Sequence, residues 1–475
     1  MTARRLAWFL APTILAAMVL LNPLSRPSYL EGDFRAFYCA SAAVAQHANP
    51  YLEEPLRSCE QHAGPPAPPR SLLRVALPAP LPPYALAFFV PFALLPFPLA
   101  AAAWLAVLIA AMVAATSLWA RVTGTSSALL NVVFAAITAT VTWYVGQPTP
   151  LVFVALAGAA LLLRNGRWTA ASACAAAAAI EPHLALPALA AMFVLAPRTR
   201  LPLVGFGLAL GAISVAAVGV PTTVQYVREV IPAHALANAY EWQYSLTSVL
   251  TSFGVAAPLA VRLGEAMFAG MVAIGIVVAH RLARVCGDRA PIVLIPPAFA
   301  VFGGVHVHFQ QLAIAFPAIL YVCARFPQVR SLAASGLAVA MIPWNVLCST
   351  VLAGFAPLLV GAFGAAAIGR RAGLVLAALS AVFSLSLLGF ALAGLGPADV
   401  TFVPHAFPAD SLAERSWGEF SRAVLARPSL LTQWLRMVTL TGLACGLVAV
   451  VRAAFMTPLA RRARNASLRV VPVVA

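Results

Sequence analysis

The segment Glu31-Gly32-Asp33-Phe34-Arg35-Ala36-Phe37-Tyr38 places a carboxylate just beyond the first long apolar run of the chain. Carboxylates are scarce here, 14 Asp and Glu in 475 residues. A carboxylate at the water edge of an apolar helix bundle is placed to accept a proton, with lipid on one side and solvent on the other. At helical spacing Phe34, Phe37 and Ser41 share a stripe, which predicts a short interfacial helix after Gly32. Asp33 then sits at its N-terminus, where the helix dipole favours an anion. N-terminal capping and general-base chemistry are both open to it.

Other residues invite chemistry by type and place. Gln147, in Gly146-Gln147-Pro148, can donate to a sugar hydroxyl or simply end a helix. Glu181 and His183 interrupt an Ala-rich apolar run. A charge at a helix centre in lipid costs about 2.5–3.5 kcal/mol, so Glu181 is expected at an interface or cavity, either paired with His183 or facing a polar site. His306 and His308 stand at i, i+2 and do not share a helical face, and no further ligands stand at metal-site spacing. No metal is therefore expected there; an imidazole facing a polar cavity, bonded to a phosphate or a sugar, is. Arg35, Arg70 and Arg74 fall on the side of the membrane that disfavours arginine, which suits either a lipid phosphate or pairing with Glu53 and Glu54. Tyr38, Tyr84, Trp143 and Tyr144 can line a sugar or lipid groove or form an interfacial belt.

The elements that must position these residues are membrane helices. The chain is 62% hydrophobic and 9% charged, with a mean hydropathy of +0.92, against about 25% charged in soluble domains. Apolar stretches of span length recur from end to end, which predicts an all-α polytopic membrane protein, a single integral unit over 1–475 with roughly fourteen spans. The alternating ten-residue segments of a membrane barrel are absent. The run from Leu6 to Leu21 lacks a small-residue cleavage site and reads as the first span.

The net charge of +16 is carried by arginine with no lysine. The arginines are dispersed between apolar runs, as the positive-inside rule requires, and do not form a nucleic-acid surface. They fix the expected topology: both termini in the cytoplasm, a first outer loop over 23–98 with interfacial or re-entrant segments, further outer loops at 221–250 and 395–430, and a basic cytoplasmic tail at 453–475. Asp33, Gln147, Glu181, His183, Glu229, His234, Glu241, His306 and His308 then all fall on the outer side. Cys39 and Cys59 share the first outer loop, where a disulfide is chemically permitted. No phosphate-binding glycine loop, dinucleotide fingerprint or metalloprotease helix is present. A transferred sugar would thus come from a membrane-bound lipid phosphate rather than a nucleotide.

Together these motifs resemble a family. Gly-Asp-Phe-x-x-Phe-Tyr at 32–38, Asn-Pro-Tyr at 49–51, Pro-Pro-Tyr-x-Leu at 82–86, Gly-Gln at 146–147 before a run ending Arg-Asn-Gly-Arg, and the His-containing turn at 306–308 are similar in order and spacing to glycosyltransferase family 87, the polyprenol-phosphate-mannose-dependent mannosyltransferase-like proteins. The resemblance covers roughly the first two-thirds of the chain. It implies a GT-C-type transmembrane helix bundle in the plasma (inner) membrane with its active site at the extracytoplasmic face. It implies inverting transfer of a sugar, mannose-like or a pentose, from a polyprenyl-phosphate donor to a glycolipid or glycan acceptor, with no other cofactor. Asp33 would be the base, and His308 or His306 would lie by the donor phosphate. The chain departs from the family where Glu181-Pro182 replaces a frequent Lys-Pro, and where Val307 separates two histidines that are usually adjacent. A transporter or flippase of lipid-linked sugars is the alternative reading.

Overall fold

The computed structural model describes residues 32–63, 76–137, 146–239, 243–342, 344, 356–392, 400–402, 414, 426–427 and 430–456. The expected first span, most of the basic tail, most of the 395–430 loop, Arg70, Arg74, Trp143 and Tyr144 lie outside them.

Five described helices are long and apolar enough to cross a membrane: Phe97–Thr123, Pro197–Asn238, Ala257–Cys286, Arg370–Leu387 and Trp434–Phe455. Helix dominates the described residues, as the composition predicts. A short antiparallel ribbon, β1 (Val400–Phe402) with β2 (Ala426–Arg427), adds a detail that the sequence does not signal. The helices needed below are α1 (Gly32–Ala45), α2 (Glu53–His62), α3 (Pro83–Ala93), α4 (Phe97–Thr123), α5 (Ser127–Ile137), α6 (Thr149–Arg164), α7 (Trp168–Ala177) and α8 (Pro182–Leu195). They are followed by α9 (Arg200–Gln225), α10 (Ile231–Asn238), α11 (Leu246–Ser252), α12 (Ala257–Cys286), α13 (Pro291–Gly303) and the single turn α14 (Phe309–Leu312). The last group is α15 (Phe316–Arg325), α16 (Arg330–Ala340), α17 (Ala356–Ala367), α18 (Arg370–Leu392) and α19 (Leu430–Phe455).

Arginine-marked helix ends are tied together on one face. Arg164, ending α6, donates from Nε and Nη2 to the Asp288 carboxylate at 2.9 and 2.8 Å, and also to the main-chain carbonyls of Arg121 and Val122. Arg325 lies over the Tyr321 ring, 3.8 Å from its centroid, and donates to the carbonyls of Thr123 and Val122. Arg198 and Arg289 both approach the Trp168 ring. The orphan carbonyls at the end of α4 thus find guanidinium donors.

From that face several helices rise only part of the way. The arm from Trp168 through the 3-10 turn Ala178–Ile180 and the arm α8 hold 13 and 14 residues. At 1.5 Å per residue each reaches roughly 20 Å, short of a hydrocarbon core of about 30 Å. The 13 residues of α13 fall short in the same way. Glu181 tips one such hairpin and the 304–308 turn tips the other, so both are sunk into the bundle and leave room above them. On the opposite flank Gly336 packs α16 so closely on α19 that a Cβ there would stand 2.7 Å from the Gly442 carbonyl, the small-residue contact common between membrane helices.

The expected polar loop at 221–250 is instead helical as far as Asn238. The chain passes a break at Gly219 (φ 78°), where the left-handed conformation needs glycine, then continues through Pro221, a π turn over Tyr226–Val230, and α10. Tertiary contacts hold this extension: Asn49 Nδ2 donates to Gln225 Oε1 at 2.9 Å, and the Tyr51 and Tyr226 rings meet at 5.5 Å. That explains the Asn-Pro-Tyr element. α1 and α2 are joined by the Cys39–Cys59 disulfide.

Two outcomes check this architecture. Arg164→Gln removes the ion pair to the partly buried Asp288 and should destabilise the fold by about 3 kcal/mol, read as a lower melting temperature in detergent; an unchanged melting curve would contradict the staple. Peptide mapping without reductant should recover Cys39 and Cys59 in one linked species, and free thiols at both positions would contradict the α1–α2 link.

Candidate functional site

Phe34 and Phe37 explain how Asp33 is placed. Phe34 stacks on Trp104 with centroids 5.6 Å apart, and Phe37 meets Phe89 at 5.5 Å. Ser41, on the same stripe, donates to the Leu86 carbonyl at 2.9 Å. The stripe is buried against α3 and α4 rather than lying in an interface, and it turns Asp33 toward a cavity of about 750 Å³. The N-terminal ends of α1, α6 and α8 border that cavity through Asp33, Pro148 and Pro182.

Six sequence-predicted residues meet there: Asp33, Gln147, Glu181, His183, His306 and His308. Gln147 Nε2 donates to Asp33 Oδ2 at 2.6 Å. Gln310 in turn donates to the Gln147 side-chain oxygen. Gln147 is held in place from behind, because Trp104 Nε1 donates at 2.7 Å to the carbonyl of Gly146, whose φ of 73° needs glycine. Glu181 accepts from Thr149 Oγ1 at 2.8 Å and from Gln311 Nε2 at 3.1 Å. Of the two readings of Glu181, the structure shows the cavity one: these two donors, and not His183, satisfy the buried carboxylate. The adjacent Gln310 and Gln311 therefore organise both acids, and Gln311 Oε1 also accepts from the His308 N–H at 2.9 Å.

Burial raises the Asp33 carboxyl to about 6, against the smaller opposing effect of the Gln147 donor. Burial likewise lifts Glu181 to about 7, with Thr149 and Gln311 opposing and the nearby Asp33 charge reinforcing the rise. Asp33 thus remains the more readily ionised acid, and one placed to take up a proton near neutral pH.

Several expected residues do not reach the cavity. Arg35 follows Asp33 by two positions, so the helix points it elsewhere, and it lies 3.8 Å from Glu60 in a buried ion pair. Glu60 also accepts from the Leu77 N–H, fixing the Pro-rich strap of residues 78–82 along the cavity. The Tyr38 hydroxyl donates to the Leu95 carbonyl and the Tyr84 hydroxyl to the Ala179 carbonyl, and neither ring lines the cavity; both brace helices.

Other lining or supporting residues are not singled out by the sequence as site groups, although the expected topology sets His234 on the outer side with the rest. His234 and Tyr226 enter on the helical extension beyond Gly219, and Asn238 lies one turn further on. Gln243 accepts from the Val307 N–H at 3.1 Å through Oε1, while its Nε2 faces His306 Nδ1 at 2.9 Å. Arg436 in turn donates to the Gln243 carbonyl at 2.6 Å and to Ser248 Oγ at 2.9 Å. The other side of the cavity is apolar, lined by Leu81, Leu186, Ile231, Ala235 and Phe268, with Leu186 53% and Ile231 47% exposed. Among the described residues no group of three or more His, Cys, Asp or Glu is arranged to hold a metal ion.

The arrangement suits a proton transfer at Asp33 beside an imidazole cluster, with an apolar wall for a chain. No curated protein and no solved structure matches this chain. The model of glycosyltransferase family 87 matches residues 81–296, a stretch that contains Gln147, Glu181, His183 and His234. That match, over a little less than half of the chain, bears out the resemblance of the motifs: residues 81–296 are similar to glycosyltransferase family 87, which supports reading the protein as a membrane glycosyltransferase.

Proposed function

We propose that the protein transfers a sugar from a polyprenyl-phosphate donor to a hydroxyl of a glycolipid or glycan, with inversion, on the extracytoplasmic side of the plasma membrane. The observation that carries this reading is the two-sided cavity, with Asp33 held by Gln147 on a polar wall and an exposed apolar wall at Leu186 and Ile231. An amphiphilic donor fits such a cavity, its isoprenoid chain along the apolar side and its phosphate and sugar among the polar groups.

In this reading the acceptor hydroxyl gives its proton to Asp33 as its oxygen attacks the anomeric carbon. The bond from that carbon to the phosphate oxygen breaks, and the electron pair leaves with the polyprenyl phosphate. A single displacement inverts the anomeric centre. His306 and His308 lie where they can receive the phosphate, and N–H donors aimed at developing charge lower the barrier. Gln147 positions the carboxylate and favours its charged form. Two features support the orientation. The arginine-tied face fits the cytoplasm by the positive-inside rule, and the Cys39–Cys59 disulfide fits an oxidising compartment on the cavity side.

The test is reconstitution in vesicles with a polyprenyl-phosphate sugar and lipid acceptors, following product by mass spectrometry. Asp33→Asn should lower turnover by about 10²–10⁴-fold while donor binding is retained. Undiminished transfer in that variant would remove Asp33 from the chemistry and leave a carrier of lipid-linked sugars as the better account. The pH profile supplies a second check. Asp33 must be charged to act, so activity should rise with pH through a midpoint near 6 and then level. Gln147→Leu removes a donor that favours the carboxylate, so it should move that acid limb to higher pH. An unmoved limb would separate Gln147 from Asp33 function.

A further inference from the structure

The cavity holds more imidazoles than one phosphate contact needs. Four rings adjoin. His306 meets His308 and His234 at 4.5 Å between centroids and His183 at 5.6 Å. They arrive from separate elements: His183 at the start of α8, His234 on α10, His306 and His308 on the turn before α14. His183 Nε2 is buried with no hydrogen-bond partner among the described residues.

Gln243 fixes the state of the central ring. Its Oε1 accepts from the Val307 N–H, so its Nε2 is the donor toward His306 Nδ1. His306 is then neutral, with its proton on Nε2, a donor on the far edge of the ring. Burial first, and then the rings of His308, His234 and His183, keep His306 well below the usual imidazole range. Burial and His183 bring His308 down to about 4. Like charges this close disfavour a second proton. The other titratable groups lining this cavity are Asp33 from α1, Glu181 at the tip before α8, and Tyr226 from the π turn. Among the described lining residues these four rings are the groups able to take on positive charge beside an anion.

We infer that His183, His234, His306 and His308 form a phosphate-monoester pocket that takes up a proton as the leaving phosphate gains its second charge. This rests on the donor reading above. The donor is a phosphodiester with one negative charge. When the anomeric carbon–oxygen bond breaks, the electron pair stays on phosphate oxygen and makes a monoester dianion. A dianion attracts a proton about twice as strongly as the monoanion does. The proton is taken from the bulk, where buffer acid is converted to its conjugate base, and settles on one of the rings adjoining His306, while the acceptor's own proton is on Asp33. The cage is therefore nearly indifferent to the donor and charged toward the product, which favours the broken bond. Helix starts at α1, α6 and α8 add a field of the same sign.

The experiment is calorimetric titration of the purified full chain in detergent at neutral pH, in two phosphate-free buffers of different ionisation enthalpy. The probes are farnesyl phosphate, its methyl diester, farnesol and inorganic phosphate. Farnesyl phosphate should bind with uptake of about one proton, whereas the diester and farnesol should take up almost none. His234→Gln should weaken farnesyl phosphate about tenfold and reduce the uptake, leaving farnesol binding unchanged, which a merely structural defect would not do. Inorganic phosphate should bind more weakly than farnesyl phosphate but with the same uptake; equal affinity for both would assign the pocket to free phosphate and overturn the lipid source. Tight farnesyl phosphate binding with heats independent of buffer would overturn the cage while leaving sugar transfer intact. Failure of both prenyl phosphates to bind would overturn the cage and the donor reading together.

Discussion

The proposed chemistry depends on keeping one carboxylate ionisable inside a protein built for lipid. A buried carboxyl without donors stays protonated, and a protonated acid accepts nothing. Here the Gln147 amide donates to Asp33, and Gln310 holds the Gln147 oxygen so that the amide cannot turn. Burial still wins, raising Asp33 to about 6, but it does not silence the group. The balance between desolvation and a single amide donor is what makes this residue suited to proton transfer near neutral pH.

The rest of the bundle can be understood as support for that balance. Guanidinium groups gather the helix ends on the opposite face, where Arg164 joins α6 to Asp288 and Arg325 joins α15 to the end of α4. Because α7, α8 and α13 are short, their tips stop below the top of the bundle, carrying Glu181 and the 304–308 turn to the cavity floor. The aromatic stack of Phe34 on Trp104 sets α1 against them. Polar chemistry thus has a pocket within the apolar body, with lipid-like side chains along one wall.

Much of this was legible in the sequence because it follows from period and cost. The stripe Phe34, Phe37, Ser41 obeys the helical repeat, and it is buried as a stripe. Glu181 in an Ala-rich run is expected at an interface or a cavity, and it lines the cavity. The parts that stayed hidden depend on long-range contacts. Arg35 is adjacent to Asp33 in sequence, yet two positions along a helix point it to Glu60. His234 sits beyond Gly219 and Pro221, which read locally as a loop; long-range contacts such as those of Asn49 with Gln225 and Tyr51 with Tyr226 hold that helical segment against the bundle. Gln243, Gln310 and Gln311 are ordinary polar residues with no spacing rule, and their importance comes from meeting partners about 60 to 160 positions away.

The most direct measurement of the central claim is an electron cryo-microscopy structure of the full chain bound to a non-hydrolysable polyprenyl-phosphate sugar. The account predicts the phosphate within hydrogen-bond reach of His306 or His308 and the Asp33 carboxylate facing the anomeric carbon from the side opposite the phosphate, with space for an acceptor hydroxyl between them. A sugar bound with its anomeric carbon turned away from Asp33, or a phosphate held outside the imidazole cluster, would contradict it.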